Sequence, residues 1–268
     1  MAFSLNNRVA MVTGSGRGIG AAVARSLAAA GATVHLADVA PERAECVASE
    51  IRSNGGSAHA VALDVTRPES WDSAIADLQN TSGQLDILVN NAGITISRSV
   101  EETTLEEWRL MMSVNLEGAF IGMKAALPLM KESAQRTPFG GSIINMSSVS
   151  GIVGTPNLSC YTATKAGLRY FSKSAAIEFA RAGYRIRVNT IHPGLIEGAS
   201  ADVLFNASIQ SGQYGNMDEA RTAWTARFPV NRMGRQQDIG GAAVFLASDE
   251  SSFMTGAELV VDGGLSAQ

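Results

Sequence analysis

The 268-residue chain is long enough for one large domain with a substantial core, and its 46% hydrophobic and 17% charged residues are the balance of a globular protein. A net charge of −4 with scattered basic residues excludes a nucleic-acid surface, and no apolar run is long enough to span a bilayer. MAFSLNNRVAMV lacks the basic region, apolar core and cleavage site of a signal peptide, so a cytoplasmic protein without a membrane partner is expected. Cys46 and Cys160 read as free thiols, and His35, His59 and His192 stand at no metal-ligand spacing, so no metal is expected.

Strand-like apolar runs alternate with helix-like stretches. RVAMV (8–12) leads through a glycine-rich turn into IGAAVARSLAAAG (19–31). TVHLA (33–37) is the second strand, and 41–55 the helix that follows, opened by Pro41 and stopped by Asn-Gly. HAVAL (59–63), a helix over 68–83, and LDILVN (85–90) continue the alternation. Long helices are predicted over 105–135, 160–182 and 236–247, between strands at 142–146, 185–191 and 258–261. Strands that are apolar without strict alternation are buried on both faces, as in a parallel sheet covered by helices. The prediction is a single α/β domain, 1–268, of the doubly wound Rossmann type with about seven strands. One long connection, 195–228, interrupts the pattern and reads as a lid.

Thr13-Gly-Ser-Gly-Arg-Gly-Ile-Gly20 joins strand one to helix one. Gly14, Gly18 and Gly20 allow a tight turn, and amides at the helix start then face a pyrophosphate; Arg17 and Ile19 flank Gly18 in the same segment. Asp38, at the end of strand two, would accept hydrogen bonds from an adenosine ribose. As a carboxylate it repels a 2′-phosphate and favours NAD over NADP, although Arg17 could pair with such a phosphate. The bland alternatives are an ordinary glycine loop and a strand-end carboxylate. Their joint placement in one βαβ unit puts the nucleotide reading ahead.

Tyr161 and Lys165 are four apart and share a helix face. An ammonium beside a phenol favours phenolate, so the pair can make a base from a group of ordinary pKa about 10. By themselves a Tyr and a Lys at this spacing occur on many amphipathic helices, and the nearby Ser147 and Ser148 could be helix caps.

Taken together these motifs resemble the short-chain dehydrogenases/reductases along essentially the whole chain. Thr13 to Gly20 matches the family's T-G-x-x-x-G-x-G, and Asp64-Val65 looks like its adenine-binding pair. Asn90-Asn91-Ala92-Gly93 is similar to its N-N-A-G segment, and Pro193-Gly194 to the pair that follows strand six. The resemblance implies a catalytic tetrad of Asn115, Ser148, Tyr161 and Lys165, with Ser148 chosen over Ser147 because it lies 13 residues before Tyr161. It implies that Tyr161 takes the alcohol proton as hydride leaves for nicotinamide, that Ser148 steadies the substrate oxygen, that Lys165 also holds the ribose, and that Asn115 anchors a relay water. One departure stands out: Gly198 occupies the position where the family often has threonine, leaving Ser200 or backbone groups such as the Ile196 amide to serve the carboxamide. A homotetramer built on the helices near 105–135 and 160–182 and the C-terminal strand region is also implied.

The C-terminal half looks most like bacterial members acting on secondary alcohols, ketones or hydroxysteroids. Leu195, Leu204, Phe205, Ile209, Tyr214, Met217 and Trp224 in the lid suit a roomy apolar pocket for such a small molecule, or else plain packing. Two alternatives stay open: an NADP-dependent acyl-carrier-protein thioester reductase, disfavoured by acidity and Asp38, and a non-catalytic nucleotide sensor, which would not need the tetrad.

Overall fold

A computed structural model of the protein describes residues 3–268. Met1 and Ala2, the start of the segment read for a signal peptide, lie outside the described residues. The order is β1 (Val9–Thr13), α1 (Gly18–Ala29), β2 (Thr33–Asp38), α2 (Pro41–Ser53), β3 (Ser57–Ala62), α3 (Pro68–Ser82) and β4 (Ile87–Asn90). It continues with α4 (Leu105–Met112), a π-helical turn (Ser113–Glu117), α5 (Gly118–Ser133), β5 (Gly141–Met146), a 3-10 turn (Val149–Gly151), α6 (Ser159–Arg181) and β6 (Ile186–Pro193). The last elements are α7 (Ala199–Gln210), α8 (Met217–Thr225), α9 (Gln236–Ala247), a 3-10 turn (Asp249–Ser251) and β7 (Glu258–Val261).

The seven strands form one sheet in the order β3-β2-β1-β4-β5-β6-β7, with every pair parallel. Side chains alternate across a strand, and β1 shows what that does here. Ala10 and Val12 enter a core built with α1, α2 and α9, while Val9 and Met11 enter a second core on the opposite face with α3, α5 and α6. Both faces are therefore apolar, as the unbroken hydrophobic runs predict. Strand order reverses between β1 and its neighbours β2 and β4, and a ligand cleft is expected beyond the carboxyl ends of strands at such a point.

Two departures from the sequence reading bear on the site. The helix predicted over 105–135 is interrupted at Ser113–Glu117 by a π turn, a local widening that no glycine or proline announces. Strand six, expected over 185–191 with Pro193 after it, runs on through Pro193: Pro193 pairs with Val261, and Gly194 N–H donates to the Val261 carbonyl. Segment 195–228 contains α7 and α8, and its Leu195, Ala201, Phe205, Ala220 and Phe228 form a small separate core with Met233. No helix among the described residues is long and apolar enough to cross a membrane.

Candidate active site

The glycine turn is braced from β4. Thr13 Oγ1 accepts the N–H groups of Asn91 and Ala92, both at 3.0 Å, and the Asn91 amide donates to the carbonyls of Thr13 (2.8 Å) and Gly14 (3.2 Å). Gly14 (φ 62°) and Gly18 (φ 61°) take left-handed conformations that favour glycine. A Cβ on Gly14 would stand 2.8 Å from Ala92 Cα, whereas one on Gly18 would meet nothing within 4 Å. The turn is thus tight against the protein at Gly14 and open at Gly18. Helix α1 has no side-chain cap at Arg17, so its first amides are left for an anion.

Asp38, nearly buried, faces this turn: one oxygen accepts Gly16 N–H at 2.8 Å and the other Ala40 N–H at 3.0 Å. Asp64 Oδ1 is engaged locally by Thr66 N–H and Oγ1, and the Val65 carbonyl accepts the Trp71 indole N–H. That bonding alone would suit an ordinary turn. Gly194 is required where it sits, since a Cβ there would approach Asp262 Cα to 2.9 Å. Ile196 is bridged to Gly234, and with Gly194, Leu195, Phe228 and Val261 it borders a cleft of about 270 Å³.

The four tetrad residues come from three elements and converge. Tyr161 and Lys165 sit on the first turns of α6, and Lys165 Nζ is 5.7 Å from the Tyr161 ring centre. Lys165 is buried and donates to the Met146 carbonyl at 2.8 Å; burial pushes its pKa down to about 8. The Tyr161 phenol lies against the hydroxyls of Ser148 and Thr95, yet burial outweighs both and raises its pKa. Burial thus opposes the phenolate that the neighbouring Lys165 ammonium would favour. Ser148 caps the 3-10 turn after β5, its Oγ accepting Ser150 N–H at 3.1 Å. The Ser147 hydroxyl instead donates to the Lys165 carbonyl at 2.9 Å. Neighbouring serines therefore face different groups, and Ser148 is the one beside the phenol.

Asn115 lies in the π turn. Its amide bonds on both sides: Oδ1 accepts Ile94 N–H at 2.8 Å, and Nδ2 donates to the Ile94 carbonyl (2.9 Å) and to Thr164 Oγ1 (3.2 Å). The side chain is a brace between the 93–95 segment and α6. Gly93 fills the gap beside it, where a Cβ would be 3.3 Å from Asn115 Oδ1 and 3.5 Å from Lys165 Nζ. Gly198 has φ 130°, a conformation poorly suited to the β-branched threonine that the resemblance leads one to expect there.

Sequence reasoning missed Thr95 and His192. Thr95 has no motif of its own, only its place two residues after Gly93. His192 was weighed solely as a metal ligand; the structure puts its Nδ1 3.0 Å from the Ser148 carbonyl.

A glycine turn at a sheet reversal, with a half-buried tyrosine beside a buried lysine and a serine hydroxyl at the neighbouring strand ends, defines the class of dinucleotide-dependent α/β oxidoreductases. The family described as enoyl-(acyl carrier protein) reductase matches residues 14–266. A trans-4-hydroxycyclohexanecarboxylate dehydrogenase of Sinomonas cyclohexanicum is 41% identical over 263 residues, 96% of this chain and 92% of that protein. An NADP-dependent (R)-specific alcohol dehydrogenase of Lentilactobacillus kefiri is also 41% identical, over 98% of each chain. The crystal structure of a short-chain type dehydrogenase/reductase from Mycobacterium marinum superposes with a TM-score of 0.86 at 32% identity, covering 99% of this chain and 98% of that one. The chain belongs to the short-chain dehydrogenase/reductase family, whose members use a nicotinamide cofactor.

Proposed function

We propose that the protein interconverts a hydrophobic, fairly bulky secondary alcohol and its ketone, with NAD(H) as the hydride partner. The observation that carries this reading is the half-buried Tyr161 phenol between the Ser148 hydroxyl and the helix turn bearing Lys165. The two similar dehydrogenases support it, since both are named for alcohol oxidation. Bound oxidised nicotinamide supplies the hydride acceptor and a positive charge.

The chain's own groups divide the remaining work. Tyr161 takes the alcohol proton in oxidation and returns it in reduction. Its raised pKa means that it becomes a base near neutral pH only with positive charge held beside it. Lys165, one of whose protons is committed to Met146, has two left for the cofactor ribose and for favouring phenolate. Ser148 Oγ accepts Ser150 N–H and lies beside the Tyr161 phenol, a place from which its own proton can be donated to the substrate oxygen as charge develops. Asn115 holds the Ile94 turn against α6 and keeps Gly93 close to Lys165.

Gly14, Arg17, Gly18, Ile19 and Gly20 would receive the pyrophosphate, and Asn91, Ala92, Gly93, Asp64 and Val65 would line the remaining cleft. Pro193, Gly194 and Ile196 would border the nicotinamide. Asp38, fixed by two backbone N–H groups, would accept the adenosine ribose and repel a 2′-phosphate, favouring NAD. The NADP-dependent relative and the exposed Arg17 support NADP as the second reading. Segment 195–228 acts as a lid on a single domain, and α7 and α8 set substrate size. The exposed Phe120 and the apolar recess lined by Met112, Leu116 and Phe171 support a homotetramer joined through α5 and α6.

The test is a panel of secondary alcohols and ketones graded in bulk, run with NAD and NADP and with chiral product analysis. Faster turnover of cyclic alcohols with NAD is expected. A higher kcat/KM with NADP would overturn the cofactor assignment. Preferred turnover of 3-oxoacyl thioesters would favour an acyl-carrier reductase, and cofactor binding without any turnover would favour a sensor.

A further inference from the structure

His192 is a fully buried titratable side chain on β6 that the chemistry above does not use. Its Nδ1 lies 3.0 Å from the Ser148 carbonyl oxygen and its Nε2 2.8 Å from Thr190 Oγ1. A carbonyl oxygen only accepts, so Nδ1 carries a proton. The charged groups around the ring, Glu258 on β7 with Arg169 and Lys173 on α6, are paired with one another at 2.8 Å. Burial keeps the imidazole neutral by lowering its pKa. Nε2 is then a lone pair, and the Thr190 hydroxyl donates to it. The tautomer is fixed with its one donor aimed at Ser148.

The Ser148 carbonyl also accepts Gly151 N–H at 2.9 Å, and its Oγ accepts Ser150 N–H. Both of those bonds belong to the 3-10 turn that Ser148 itself opens, so they move with it. The His192 bond is different: it ties Ser148 to a neighbouring strand of the rigid sheet. We propose that His192 is a positioning residue, which fixes the orientation of Ser148 so that its hydroxyl meets the substrate oxygen beside Tyr161. This rests on the secondary-alcohol reading above.

Two substitutions separate the contacts. His192→Gln carries its amide to the place of Nε2 and keeps Thr190 while losing Ser148; His192→Asn carries an N–H to the place of Nδ1 and keeps Ser148. Each is measured for NAD dissociation constant and for kcat with a cyclic secondary alcohol, in the wild-type and Ser148→Ala backgrounds. We expect His192→Gln to lower kcat roughly tenfold with the dissociation constant unchanged, since misplacing one donor costs part of its 10²–10³ contribution. His192→Asn should stay within about threefold of wild type, and His192→Gln should cost under about twofold once Ser148 is alanine. An equal loss in both backgrounds, or equal losses for Gln and Asn, overturns the proposal. A wild-type protein that turns over no secondary alcohol defeats the parent reading instead, whatever the variants do.

Discussion

At the residue scale, burial sets the two charge states that matter most. Tyr161 is raised and Lys165 lowered by the same desolvation, so the chain holds a neutral phenol beside a readily discharged ammonium. His35 shows the same force in a purely structural place. It is fully buried between β3 and α3, with Nε2 2.7 Å from Ser82 Oγ, its ring stacked on His59, and Nδ1 without a partner. Its pKa is lowered from 6.5 to about 4 by burial and by His59. The folded state therefore binds this proton less readily than the unfolded chain. The associated stability is complete above pH 6.5 and is lost as pH falls from 6.5 towards about 4. Urea unfolding of wild type and His35→Gln should diverge by about 3 kcal/mol across that window. Parallel pH dependence in the two proteins would contradict the assignment.

At the element scale, motifs tied to backbone shape were legible in the sequence and side-chain wiring was not. Gly14 and Gly18 mark positive φ, which other residues rarely adopt, and Pro41 and Pro68 open helices α2 and α3, because the proline ring fixes φ. The π turn at Ser113–Glu117 could not be read: the partner that Asn115 bonds from it, Ile94, lies 21 residues earlier. The lid was legible as a long insertion but not as helices α7 and α8; Phe205 and Met233 meet only after folding. Gly14→Ala tests the brace between β1 and β4. A methyl at φ 62°, 2.8 Å from Ala92 Cα, is strained in both conformation and packing. The variant should lose about 2 kcal/mol of stability and bind NAD more weakly. Unchanged melting temperature and NAD titration would show that the turn is looser than described.

At the scale of the whole molecule, the sheet reversal gathers every proposed group at one end. Parallel order and two-sided burial followed from apolar runs such as Ile87–Asn90, where no residue is exposed. Quaternary structure was implied only by resemblance, and it is the exposed apolar face of α5 and α6 that supports it. Phe120, 49% exposed and edge-on to Phe171, lies on that face. Phe120→Asp should shift sedimentation from a tetramer towards smaller species while leaving the fold intact. Unaltered sedimentation would place the interface elsewhere. The central claim is that Tyr161 carries the proton, and its most direct measurement is single-turnover oxidation of a cyclic secondary alcohol by Tyr161→Phe, with NAD binding followed in parallel. Intact NAD binding with a rate at least ~10³-fold below wild type is the predicted result, since a positioned acid–base group contributes 10²–10⁴-fold. A near wild-type rate with the phenol gone would contradict it.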